Sequence, residues 1–285
     1  MKVIQLFIVL FLISQTGYGI NYPFKKGKGE IGIGYKTTTY TSEFDQDGEL
    51  RLTPKTRTSQ FLIEGNYGVT DRICLSLSAP IMVKNKVFKN TLHNIESDLN
   101  YTGPGDIELG VGYAFVEQKK LMTIATFKHS IGIGTSDQKD GLNTGYGDYA
   151  NALYFDIFYK PNTSLFFDLC AGGRIRGMGF SDDFLGEALA GWHLSPSFDL
   201  KGSISGQVPF EYGSDSLVGG YFGLYRNNAG YLISTVSFAY NYQHTVGASI
   251  EFSNYIKGQF IGAAPIFGIK LYYLFDGEEN ADDKK

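Results

Sequence analysis

The chain is poor in the residues on which most soluble chemistry depends. It holds 2 cysteines, Cys74 and Cys170, too few for a disulfide framework or a cysteine-based zinc site. An exported compartment would permit a bridge between them, but their spacing does not demand one. Histidines number 4: His93, His129, His193 and His244. No Gly-x-Ser-x-Gly elbow and no His-Glu-x-x-His pair occurs, so no nucleophile or metal-bound base is marked. Gly103-Pro104-Gly105 precedes a strand pattern rather than a helix, which makes it a turn and not a phosphate loop. No excess of positive charge exists either: the net charge is −4, which argues against a nucleic-acid partner. Finally, no stretch reaches the ~18 uninterrupted apolar residues of a membrane-spanning helix.

What is present is alternation. In Asp106 to Phe115, Ile107, Leu109, Val111, Tyr113 and Phe115 alternate with Asp106, Glu108, Gly110, Gly112 and Ala114. Successive side chains of a strand point to opposite faces, so one face is apolar throughout and the other carries carboxylates and glycines. The same two-faced pattern recurs to the end of the chain. Ser203, Ser205 and Gln207 oppose Leu200, Ile204 and Val208, while Lys270 and Tyr272 oppose Ile269, Leu271 and Tyr273. A soluble sandwich hides its apolar faces in one dry core and must cover its edges. An outer-membrane barrel turns them to lipid and keeps a polar lumen. Aromatics at strand ends (Tyr67, Tyr113, Phe115, Tyr159, Trp192, Tyr240, Tyr242) suit the headgroup girdle of a barrel and have no purpose in a sandwich. The content of 36 glycines, 20 tyrosines and 22 phenylalanines fits such a barrel and would equally suit a secreted β-sandwich.

The ends read as processing and solvent segments. Residues 1–19 form a signal peptide: Lys2, then an apolar run from Val3 to Ile13, then Gly17-Tyr18-Gly19 at the cleavage site. Residues 20–275 form the barrel, and the charged stretch 276–285 is a periplasmic tail.

Between strands, short and long connections alternate. The short ones lie at 68–71, 117–120, 160–163, 194–197 and 242–245, most of them with Gly, Pro, Asn, Asp or Ser. The longer ones lie near 40–58, 84–104, 134–148, 177–184, 209–229 and 256–264. Short periplasmic turns and long extracellular loops are the asymmetry of a bacterial barrel. The count implies an all-β, transmembrane, antiparallel up-and-down barrel of about twelve strands, with both termini periplasmic. Strand centres fall near 33, 63, 77, 110, 128, 155, 170, 190, 204, 237, 250 and 270.

Three segments carry a resemblance. Tyr67-Gly68-Val69-Thr70-Asp71-Arg72 with the following strand to Pro80 is one. Gly103-Pro104-Gly105-Asp106 running into Tyr113 is the second, and Gly141-Leu142-Asn143-Thr144-Gly145-Tyr146-Gly147-Asp148 the third. In order and spacing over residues 60–150, they resemble the outer-membrane transporter family of the meta-pathway of phenol degradation. Asn143 stands where that family has a second glycine, and Ile131-Gly132-Ile133-Gly134 where it shows Pro-Thr-Gly. The motifs are hairpin and barrel signatures, so the resemblance implies a barrel in the outer membrane and a transport role without naming a substrate.

The polar faces collect Glu64, Asp106, Glu108, Lys128, Asp156, Asp168, Arg174, Arg176, Glu187, Lys201, Glu251 and Lys270, the lumen-lining candidates. They either orient a passing solute or fill the interior with salt bridges. Eight strands leave an interior filled by side chains and sixteen a water channel, and twelve lies between. Tyr154, Phe158, Phe166 and Tyr272 also point inward in this register, where they either suit amphipathic solutes or simply fill space. The expected role is passive passage or uptake of small solutes, hydrophobic or aromatic ones among them, with no covalent chemistry, no cofactor and no metal. Expected partners are outer-membrane lipid, a small-molecule solute and the barrel-assembly machinery during biogenesis. A surface hydrolase of lipid or peptide, using a histidine bonded to Ser or Asp at one rim, is an alternative class. A non-conducting structural or assembly barrel is another.

Overall fold

A computed structural model describes residues 25–93, 95–135, 142–177, 179–210, 225, 227–243 and 245–275. The leader, the charged tail and His244 lie outside these described residues. The strands are β1 (Gly29–Phe44), β2 (Leu50–Gly68), β3 (Ile73–Val87), β4 (Leu99–Gly103), β5 (Ile107–Glu117), β6 (Leu121–Ile131) and β7 (Ala150–Tyr159). They continue as β8 (Leu165–Arg176), β9 (Asp183–Ser195), β10 (Phe198–Pro209), β11 (Gly230–Tyr242), β12 (Val246–Gln259), β13 (Ile261–Gly262) and β14 (Ile266–Phe275). β4 and β13 are short additions that pair with β3 and β1. The other strands form one antiparallel ring of twelve. Closure is made by β1, whose Ile31 pairs with Gly65 of β2 on one side and Tyr273 of β14 on the other. A closed ring leaves no edge, so every backbone donor in the wall has a partner without water. All twelve expected strand centres fall within these strands.

The two faces sort as the alternation requires. On β5, Leu109, Val111, Tyr113 and Phe115 face outward and are 44–50% exposed, while Gly110, Gly112 and Ala114 are buried. The strand-end aromatics Tyr67, Tyr113, Phe115, Tyr159, Trp192, Tyr240 and Tyr242 are all exposed on the outside. In water this belt would be a large apolar patch, but in a bilayer it is the solvated surface.

The short turns hold by local side-chain bonds. Thr70 Oγ1 accepts the Ile73 amide at 2.9 Å, and Asn162 Oδ1 accepts those of Ser164 and Leu165 at 2.9 and 2.8 Å. β1 begins and β14 ends at this same end of the barrel, since Gly29 pairs with both Tyr67 and Phe275.

Two expected loops are strand instead. Most of 40–58 is the upper part of a β1–β2 hairpin, turned by residues 45–49. Asp45 Oδ1 accepts the amides of Asp47 and Glu49 there, and Gly48 takes φ +79°. Likewise 256–264 is largely the end of β12 plus β13. Above the membrane both faces of a hairpin meet water. Runs such as Thr37-Thr38-Thr39 and Thr56-Arg57-Thr58 therefore lose the apolar alternation that marks a strand. Cys74 and Cys170 are buried on β3 and β8, strands that do not adjoin, and no disulfide joins them.

Candidate functional site

The interior of the ring is the candidate site, and it divides into a mouth, two walls and a lower apolar strip. The mouth is built by Asp106, just before β5. Its Oδ1 accepts the Gly134 amide at 2.8 Å and its Oδ2 the Tyr146 amide at 2.6 Å. The Gly147 amide reaches both oxygens at 3.3 Å. This carboxylate thus pins the ends of the 132–149 loop inside the rim. A Cβ on Gly134 would sit 2.7 Å from Asp106 Oδ1, and one on Gly145 2.6 Å from Oδ2, so only glycine lets the loop close on the acid. Burial raises the Asp106 pKa above the ordinary carboxylate range, against the amides of Gly134, Tyr146 and Gly147, which pull it down.

The described residues of this loop, 132–135 and 142–149, make further contacts at the rim. Asn143 offers its carbonyl to Asn85 Nδ2 at 2.5 Å, and Thr144 is fully buried against Thr135. Tyr146 meets Phe180 and Tyr225 edge-on at 5.2 and 5.5 Å, with the Arg176 guanidinium 4.9 Å over its ring. Tyr225 in turn accepts a bond from Gln60 Nε2 of β2 at 3.0 Å. Beside it, Asp183 takes Arg174 through both oxygens at 3.0 and 2.7 Å, and Arg176 at 3.1 Å.

Below the mouth the walls differ. On the wall of β1, β2, β12 and β14, Lys36 pairs with Glu251 at 3.3 Å, and Lys270 with Glu30 at 2.5 Å and Glu64 at 3.4 Å. Lys128 pairs with Glu108 at 2.8 Å on the neighbouring β5–β6 pair. On the wall of β7, β8 and β9 stand Asp156, Asp168 and Glu187, each nine-tenths or more buried. Thr126 donates to Asp156 Oδ2 at 3.4 Å, and Ser203 to Glu187 at 2.7 Å. Oδ1 of Asp156 and Oδ1 of Asp168 accept no bond, and no cation lies within 4 Å of either residue among the described residues. Lys201, half-buried on β10, also has no ion pair among the described residues.

Toward the short-turn end, Ala114, Met122, Ile124, Phe158, Phe166 and Leu189 make an apolar cluster on the inner face of β5 to β9. Phe158 and Phe166 stack at 5.8 Å. These residues point inward as the register requires, and so does fully buried Tyr154.

Every lumen-lining candidate is thus buried or half-buried. The structure brings Lys128 to Glu108 and Lys270 to Glu64, and sets Arg174 beside Arg176 on Asp183. Asp106 stands at the mouth rather than along the wall. Sequence reasoning missed Glu30, Lys36 and Asp183. Glu30 and Lys36 share the phase of Gly32 and Gly34 on β1, a signal that was there to read. Asp183 fell inside an expected loop.

Of the histidines, His129 Nδ1 bonds Asn151 Oδ1 at 2.9 Å on the outer surface. His193 Nδ1 lies 2.6 Å from Asp199 Oδ1 at the short-turn rim. The rim pairing asked of a hydrolase therefore exists. Asp199 continues to Asn241 at 3.2 Å and Asn241 to Tyr272 at 2.7 Å, and no serine hydroxyl joins the His193 ring among the described residues.

No protein-family model and no curated protein matches the sequence. The fold is similar to that of an outer membrane channel from Pseudomonas putida F1, known from its crystal structure. The TM-score is 0.66 at 12% identity, covering 92% of this chain and 100% of that one. It is also similar to the NanC porin, with a TM-score of 0.51 at 7% identity, covering 87% of this chain and 99% of that one. The shared feature is the fold, an outer-membrane β-barrel, in agreement with the architecture that the hairpin motifs imply.

Proposed function

We propose that the protein is an outer-membrane channel for passive passage of small solutes, apolar or aromatic ones among them. The observation that carries this reading is the interior itself. A charged upper lumen under an inward-folded loop leads to an apolar strip around Phe158 and Phe166. A solute with an aromatic body and a polar end meets both in one passage, and its gradient supplies the driving force. The candidate residues Glu64, Asp106, Glu108, Lys128, Asp156, Asp168, Arg174, Arg176, Glu187, Lys201, Glu251 and Lys270 shape the route by charge. The 132–149 loop, latched on Asp106, sets its width. The channels it is similar in fold to support the reading. The leader at 1–19 and the tail at 276–285 belong to it as export signal and periplasmic extension, with lipid and the assembly machinery as partners. Among the described residues no serine hydroxyl joins the His193–Asp199 pair, so the channel reading is preferred to a hydrolase there.

The test is reconstitution of the refolded protein into planar bilayers and vesicles. Discrete conductance steps, together with uptake of an aromatic alcohol faster than in protein-free vesicles, are expected. A folded barrel that is silent in both assays overturns the proposal.

A further inference from the structure

The lipid-facing belt does not run equally high around the barrel. On β8, β9 and β10 it stays apolar to the outer strand ends, with Ile175, Phe184, Val208 and Phe210 all exposed. On β2 and β3 it stops at Phe61 and Met82, and above them the same outward face carries Arg57 and Lys55 on β2 and Lys84 and Lys86 on β3. The register sets Arg57 opposite Lys86 and Ser59 opposite Lys84. A strand tilted ~40° climbs about 2.5 Å per residue, so Lys84, Arg57 and Lys86 lie about 5–10 Å above the last apolar side chains. That is headgroup height.

Three of these cations are also drawn together. Lys86 Nζ, Lys55 Nζ and Arg57 Cζ lie 4.5, 4.9 and 5.8 Å from the centroid of a single ring, Phe88. Among the described residues one carboxylate answers them, Asp98, which takes Lys86 at 2.7 Å. Arg57 donates to Thr39 Oγ1 at 3.1 Å, and Lys55, Arg57 and Lys84 have no carboxylate in ion-pair range among the described residues. Like charges held this close repel unless an anion sits between them. A barrel wall exposes this patch where the headgroups of the outer leaflet pass, and Gram-negative outer leaflets are built of phosphorylated glycolipid.

We infer that the outward patch of Lys55, Arg57, Lys84 and Lys86 is a binding site for the phosphate groups of an anionic lipid headgroup in the outer leaflet. The inference rests on the outer-membrane reading above. Phe61, Met82 and Ile81 beneath the patch receive the acyl chains of the same molecule, which separates a lipid from free phosphate. Arginine and lysine divide the work as their chemistry allows. The Arg57 fork takes two phosphate oxygens, and the lysines act as point charges around it.

The experiment uses the full chain refolded into phosphatidylcholine nanodiscs, with bis-phosphorylated lipid A titrated in and bound lipid counted by native mass spectrometry. Each free cation near an anionic surface is worth about fivefold in binding, so replacing Lys55, Arg57 and Lys84 together costs about a hundredfold. The K55Q/R57Q/K84Q/K86Q variant is expected to lose lipid A selectivity, and K84R/K86R to keep it. A K119Q/K120Q variant, which removes two positive charges at the opposite, short-turn rim, should bind as the parent does. Dephosphorylated lipid A should bind no better than phosphatidylcholine, and inorganic phosphate should fail to displace lipid A. Equal binding by parent and quadruple variant overturns the site, and full displacement by inorganic phosphate overturns the lipid assignment. Conductance on the same preparations keeps the two readings apart. A conducting barrel indifferent to lipid A defeats this inference alone, and a silent barrel that still selects lipid A defeats the channel alone.

Discussion

The two walls of the lumen treat their carboxylates in opposite ways. Around β1, β2, β12 and β14, Glu30 and Glu64 share Lys270, and Glu251 meets Lys36. Around β7 and β8, Asp156 and Asp168 are just as inward and more deeply buried, yet no lysine or arginine among the described residues pairs with them. The mouth shows a third solution, in which Asp106 is satisfied by backbone amides of its own loop. The paired wall includes the seam where the first and last strands meet. There, a bridge from Lys270 on β14 to Glu30 on β1 and Glu64 on β2 ties the ends of the chain together. The β7–β8 wall needs no such tie, because consecutive strands hold each other through short turns. Charge there is left to act on what passes rather than on the fold.

The sharpest way to break this contrast is Lys270→Met, which takes from Glu30 and Glu64 the ammonium that they share. The pair is partly exposed, so the cost is discounted from that of a fully buried bridge to about 2 kcal/mol. Urea unfolding in vesicles, followed by the fluorescence of the lone Trp192, should show a lower midpoint. An unchanged midpoint would remove the seam from the account. Next in size is Asp106→Ala. It frees the amides of Gly134, Tyr146 and Gly147 and costs about 1–2 kcal/mol. Its main effect should be on conductance, with larger and noisier steps as the 132–149 loop leaves the mouth. Steps identical to those of the parent would mean that the loop is not latched there. The smallest effect on stability belongs to the double change Asp156→Asn and Asp168→Asn, at less than about 1 kcal/mol in either direction, because no ion pair among the described residues is lost and an amide oxygen still accepts the Thr126 hydroxyl. The reversal potential under a salt gradient should nonetheless move toward that of a less cation-preferring pore. A large loss of stability with no change in selectivity would reverse the roles assigned to the two walls.

The barrel was legible because its rule is local. Period-2 alternation tells inside from outside one residue at a time, and Ser203, Ser205 and Gln207 all face inward as their phase requires. The same rule failed at 40–58, where the hairpin rises clear of lipid and both of its faces are polar. The lumen candidates were readable as residues but not as pairs. Lys270 sits on an expected inward face, and nothing near it in sequence announces Glu30, 240 positions away. The latch was half visible. Asp106 and Gly145 both belong to motif segments, and the contact between them explains why glycine stands at 145.

Sequence alone determined the all-β architecture, the outward apolar face, the turn pattern and the number of strands that close the ring. These follow from side-chain direction and turn chemistry, which act over a few residues. Tertiary structure alone decided which acid meets which base, that the 132–149 loop folds inward onto Asp106, and that Lys55, Arg57 and Lys86 gather on Phe88. These depend on strand register and ring closure, which bring together residues that no local period relates.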